Sequence, residues 1–198
     1  MVIAALPAGV LVVDPGGLAP FGPAKWLAVS VLVLAGATAV AVRRGPVEVA
    51  RRPALAWAAF LVIVGLAAAF GLDRLYAWTG TPERHLGALT WVLCAVAFFT
   101  AQALRPGERR AVFAVAVAAC GLAGAWTVAE VLGWEPMRLV GTGNRPVGPF
   151  GSSAYLGAAL ALLVPIAVGV ASDESWSAAR RRLAALAAIA GAAGLVAS

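Results

Sequence analysis

Few side chains in this chain are suited to chemistry, and those that are sit next to turns. Arg84 and His85 follow Glu83 in YAWTGTPERHLGALTW, residues 76–91. Glu130 lies in WTVAEVLGW, three residues before Gly133. Arg145 opens RPVGPFGSSAY, in which Tyr155 leads into a long apolar run. A planar guanidinium suits a phosphate or diphosphate bidentately, and a helix N-terminus adds free N–H groups and the favourable end of its dipole. The chemistry on offer is therefore electrostatic, the holding of an anion. A metal centre is not expected, because His85 is the single histidine and no carboxylates stand in register with it. No cofactor is expected either. Gly141, Gly143, Gly148 and Gly151 are not followed by Gly-Lys-Ser/Thr, which excludes a Walker loop. No Ser-His-Asp set can be assembled, and Cys94 and Cys120 fall mid-segment, as small core residues do. Each candidate also has a plainer reading. Arg84 can snorkel and pair with Glu83 or Asp73, and the glycines and prolines after Arg145 can simply form a tight turn. Glu130 can reach water, or meet Arg138 and Arg145.

These residues must be positioned by elements that are almost wholly apolar. Hydrophobic residues make up 62% of the chain and charged ones 12%, against about 25% charged in soluble domains. Charge-free runs extend over residues 26–42, 53–72, 86–104, 111–129 and 146–172. A spanning helix needs about 20 apolar residues, and the absence of period-2 alternation argues against barrel strands. The expected fold is an all-α integral membrane protein, a polytopic bundle of about six to seven transmembrane helices. It is read as one membrane domain over residues 1–198, with spans near 1–13, 26–42, 53–72, 86–104, 111–132, 150–172 and 183–198. Thr81-Pro82 is expected to start the fourth helix, Thr81 as cap and Pro82 in the first turn. The last run is still apolar at Ser198, so the chain is expected to be part of a longer protein.

The net charge of +6 does not indicate nucleic acid, because the basic residues stand in short clusters between apolar runs. Arg43, Arg44, Arg51 and Arg52, then Arg105, Arg109 and Arg110, then Arg180, Arg181 and Arg182 occupy alternate loops. The positive-inside rule places these loops and the N-terminus in the cytoplasm. The loops carrying Lys25, Arg84, Glu130 and Arg145 then face outward, and any ligand chemistry is expected on that side.

At these same residues the chain resembles a family. Trp78-x-Gly80-x-x-x-Arg84-x-x-Gly87 resembles an outer-loop motif of the O-antigen ligase and polymerase superfamily, which also includes O-oligosaccharyltransferases. Glu130-x-x-Gly133 stands where that family often has Gln-x-x-Gly. Arg145-Pro146-x-Gly148-x-Phe150-Gly151, with Tyr155 and Pro165 after it, is similar to a second family element. Asp14-Pro15 and Phe21-x-Pro23-x-Lys25 match its first outer loop. Each motif is loose alone, and four in order are more specific. One departure is Ser152-Ser153-Ala154, where the family has Asn-Pro-Asn.

The resemblance implies transfer or polymerisation of an undecaprenyl-diphosphate-linked glycan at the outer face of the plasma (inner) membrane, as part of cell-surface polysaccharide biosynthesis. The partners implied are the lipid bilayer, the lipid-linked glycan and a glycan or protein acceptor. Arg145, Arg84, His85, Glu130 and Tyr155 are the substrate-binding candidates. The family's catalytic Arg and His lie in a large outer loop nearer the C-terminus, so no catalytic residue carries over and the chain alone is expected to be inactive. Two other classes compete with this one. In a transporter or flippase segment Glu130 would couple transport, and in a noncatalytic membrane scaffold the outer arginines would tolerate replacement.

Overall fold

A computed structural model describes residues 2–14, 22–43, 50–81, 85–134 and 145–198. The described residues form α-helices and one 3-10 turn, with no strand among them. The helices are α1 (Val2–Leu11), α2 (Pro23–Val42), α3 (Arg51–Ala69), α4 (Arg74–Thr79), α5 (Ala88–Gln102), α6 (Pro106–Val131), α7 (Ser153–Ser172) and α8 (Ala178–Ala197). The turn is Gly148–Phe150, between α6 and α7.

Sequence chemistry explains most of the boundaries. Helices keep every backbone polar group satisfied internally, which an apolar environment demands. Pro23 and Pro106 occupy first-turn positions, where a missing N–H costs nothing. The Glu108 carboxylate accepts from the Arg105 backbone N–H at 2.9 Å and so closes the start of α6. It also meets the Arg43 guanidinium at 2.6 Å, joining the end of α2 to the start of α6. At the same end of the bundle, arginines serve helix C-terminal carbonyls. Arg109 donates to the carbonyls of Leu104 and Gln102, and Arg181 to that of Ala171.

Among the described residues four helices are long and apolar enough to cross a membrane: α2, α3, α6 and α7. Of the six to seven spans expected from the charge-free runs, these four meet the requirement of length and composition. Three elements account for the difference. α1 has 10 residues and contains Pro7. α5 has 15 residues. α8 has 20 but begins Ala-Ala-Arg-Arg-Arg. The fourth expected span also begins later than the sequence indicates, at Ala88 with Gly87 as its N-cap, and not at Thr81. α4 was not expected; Asp73 caps it by accepting from the Tyr76 N–H at 3.1 Å.

α6, α7 and α8 pack mutually and form the core. α1 lies against α6 and α2, α2 against α5, and α5 against α3. The core is built from small residues, among them Ala116, Ala119, Cys120 and Ala123 of α6 and Ala188 of α8, with Leu156, Leu160 and Leu163 of α7 filling the remainder. Small residues allow the close helix approach on which association depends where no hydrophobic drive exists between helices. A Cβ added to Gly124 would stand 2.4 Å from the Ala190 carbonyl carbon, so the backbones of α6 and α8 touch there. α3 lies at the edge, against α5, where Trp57 meets Phe98 and Phe60 meets Trp91 edge-on at 5.3 Å.

Gly124→Val is therefore expected to force α6 and α8 apart and to cost about 3 kcal/mol of stability, the upper end for overpacking. Gly65→Ala, in α3 with nothing within 4 Å of its added Cβ, is expected to be neutral or to stabilise by up to about 1 kcal/mol. Thermal unfolding of the two variants in detergent checks this, and equal melting temperatures would contradict the packing.

Candidate functional site

The site-bearing end of the bundle is built around the segment 145–151. Its conformation depends on glycine: Gly148 has φ +53° and Gly151 φ +70°, both left-handed. A Cβ on Gly148 would also press on Leu156 Cδ1 at 3.0 Å. Two opposite charges hold the backbone of this segment. Glu130, in the last turn of α6, accepts from the N–H groups of Val147 at 3.0 Å and Gly148 at 2.9 Å through Oε2. Its Oε1 accepts from Trp126 Nε1 at 2.9 Å. From the other side, Lys25 Nζ donates to the carbonyl of Pro149, and also to that of Val10 at 2.9 Å. The ammonium also lies 4.9 Å from the centre of the Phe150 ring.

Residues 78–81 and 85–87 make a second fixed structure beside α2. Gly80 has φ +79°, and a Cβ there would stand 2.3 Å from the Leu86 N. A Cβ on Gly87 would stand equally close to the Gly80 N. The chain thus passes over itself at these two glycines, which accounts physically for their pairing in the sequence. The crossing also explains the late start of α5, since residues 85–87 are used to close the loop. His85 has φ +50°, in a region where histidine is one of the more tolerated residues. Its ring stacks on Trp26 with centroids 5.0 Å apart, and its buried Nε2 has no hydrogen-bond partner among the described residues. The Thr90 hydroxyl donates to the His85 carbonyl and accepts from Trp26 Nε1 at 3.0 Å.

Between these two structures a groove of about 360 Å³ runs down α2 and α5. Its upper wall is Lys25, Trp26, Thr90 and Tyr155, and its lower wall includes Val33, Cys94 and Ala97. Tyr155 is half exposed at the mouth. The arrangement suits an amphipathic anion, with apolar length in the groove and charge at the mouth.

The structure brings two of the five sequence candidates, His85 and Tyr155, to the same groove. His85 stacks on Trp26, which together with Tyr155 lines the groove. Glu130 fixes the turn instead of facing the groove. The sequence reading offered Arg138 and Arg145 as its partners, but its oxygens are taken by Trp126, Val147 and Gly148. Arg145 is exposed on the turn, and among the described residues no carboxylate pairs with it. Arg84 and Arg138 lie outside the described residues. Cys120 is a core residue as expected, its thiol donating to the Ala187 carbonyl at 3.4 Å, whereas Cys94 is exposed and lines the groove. Lys25 was read only as a loop charge and motif position. The available signal was that it is the one lysine among 15 basic residues, two places inside a helix that starts with proline. Compared with family models, with curated proteins and with solved structures, the chain matches none.

Glu130→Ala removes the acceptor from two backbone N–H groups. Charge-assisted hydrogen bonds are worth about 1.5–3 kcal/mol, so the amides of Val147 and Gly148 should exchange with deuterium about 10–100-fold faster. Hydrogen-exchange mass spectrometry of peptides covering 145–151 reads this directly. Unchanged protection would mean that Glu130 does not hold the turn.

Proposed function

We propose that the chain is an O-antigen ligase-like membrane protein that binds an undecaprenyl-diphosphate-linked glycan and serves its transfer or polymerisation at the outer face of the plasma membrane. In this reading the bundle has six to seven spans, with α1, α5 and α8 joining the four longer helices, and the N-terminus is cytoplasmic. The observation that carries the reading is the groove between α2 and α5, apolar along its length and ending at Lys25, Trp26 and Tyr155 beside the turn that bears Arg145. A polyprenyl diphosphate has the matching form, an apolar chain ending in a doubly phosphorylated head.

The geometry supports the following division of roles. Lys25 is committed to backbone carbonyls and acts by positioning the turn. Glu130 does the same from the opposite side. Arg145, exposed and two residues before the backbone that Glu130 holds, is the group that meets the diphosphate, and Arg84, which lies outside the described residues, is proposed as its counterpart on the sequence motif alone. Tyr155 and the His85–Trp26 stack shape the mouth. The sugar is carried beyond the mouth, and its acceptor is a second glycan or a protein.

The test is binding of undecaprenyl diphosphate to the purified protein in detergent, followed by intrinsic fluorescence. Arg145→Ala should weaken it about 10–100-fold, the effect of one charge-assisted contact, and Ala97→Trp should block the groove without touching the head group's site. Arg145→Lys should retain part of the affinity, since charge without the planar fork remains. Absence of saturable binding, or equal affinity of wild type and Arg145→Ala, would overturn the reading.

A further inference from the structure

At the opposite, arginine-rich end, a second groove of about 610 Å³ lies between α6 and α8. Its walls are apolar: Ala118, Gly121 and Leu122 of α6, and Leu183, Leu186 and Ala190 of α8. Among the described residues no side chain fills it. Its end is closed by Trp176, which is buried, and by Arg180, which is exposed and lies 5.8 Å above the Trp176 ring. We propose that this groove is a binding site for an anionic phospholipid, one acyl chain lying along α6 and α8 and the phosphate meeting Arg180.

Three independent features converge on that occupant. The groove is apolar and opens on the surface that faces lipid if the bundle lies in a bilayer, so its filling is hydrocarbon. The guanidinium at its end lies 5.8 Å from the centre of the Trp176 ring, within cation–π reach, and its planar fork of donors suits a phosphate. Arg180 itself lies in the first turn of α8, whose cap residue Ser177 makes no side-chain bond to the first-turn N–H groups. Those N–H groups remain available to an anion. The charged neighbours agree. Arg181 is committed to the Ala171 carbonyl, and Arg182 is exposed on the same turn. Arg110 of α6 acts electrostatically on Asp173. The Asp173 carboxylate is turned into its own loop, accepting from the backbone N–H and the hydroxyl of Ser175, both at 2.9 Å. Glu174 is exposed beside it. Four arginines against two acids leave this end cationic. Basic clefts between helices at a membrane surface select anionic head groups in this way.

The proposal concerns the end away from Arg145, so it stands or falls separately from the glycan-transfer reading. The test reconstitutes the protein in phosphatidylcholine nanodiscs carrying either brominated phosphatidylglycerol or brominated phosphatidylcholine at the same mole fraction. The quenching of Trp176 is isolated as the difference between wild type and Trp176→Phe. The expected result is an apparent association at Trp176 about fivefold stronger for the anionic lipid. Arg180→Gln should bring the ratio close to one, Arg180→Lys should keep most of it, and Arg182→Gln, altering a charge that does not line the groove, should leave it unchanged. Equal quenching by both lipids in the wild type would reduce the groove to an ordinary lipid-facing surface and overturn the proposal. So would no quenching by either lipid, the outcome if a second copy or another protein segment fills the groove.

Discussion

One end of this bundle depends on a short backbone segment being gripped by two side chains of opposite charge. Glu130 takes the N–H groups of Val147 and Gly148, and Lys25 gives its hydrogens to the carbonyls of Pro149 and Val10. An unpaired backbone amide or carbonyl at membrane depth costs several kcal/mol. A turn with two left-handed glycines cannot satisfy itself as a helix does, so it must borrow partners from neighbouring helices. α6 supplies the acceptor and α2 the donor. The ends of α1, α2 and α6 are thereby fixed to one point, and Arg145 and Tyr155 on either side of it acquire defined positions. The ion pair that does form directly, Arg43 with Glu108, is exposed and at the far end. Surface pairs of that kind contribute little.

A second constraint sets the rest of the bundle. Without a hydrophobic drive between helices in lipid, close packing of small side chains must hold them. The contact of Gly124 with the Ala190–Gly191 backbone, and of Gly191 with Cys120, is the result. Along the same helices, small residues that face outward leave a groove. One sequence habit, alanine and glycine in α6 and α8, thus produces both the tight core and the cleft that ends at Arg180.

The sequence made some of this legible. The charge-free run 53–72 lies over α3, and 146–172 contains both the turn and α7, because apolar length and the absence of charge are what a spanning helix requires. Short elements were less readable. α4 is six residues long and depends on the Asp73 cap, below the length at which periodicity speaks. The start of α5 was misplaced because Thr81-Pro82 reads as a helix start, while the actual determinant is the crossing of Gly80 over Gly87, a tertiary contact. Glu130 was read as a charge seeking an arginine, and its true partners are backbone amides 17 and 18 residues away. Lys25 was the largest omission. Nothing in its local sequence indicates that its ammonium reaches a carbonyl 124 residues on.

The measurement that tests the central claim most directly is a double-mutant cycle of Lys25→Met and Glu130→Gln, read as unfolding free energies in detergent for the four proteins. If both side chains hold one turn, loss of either relaxes the segment that the other needs. The two changes should then be coupled by about 1 kcal/mol or more, although the residues lie on different helices. Additivity within about 0.3 kcal/mol would show that the two charges act independently, and that the turn is not held between them.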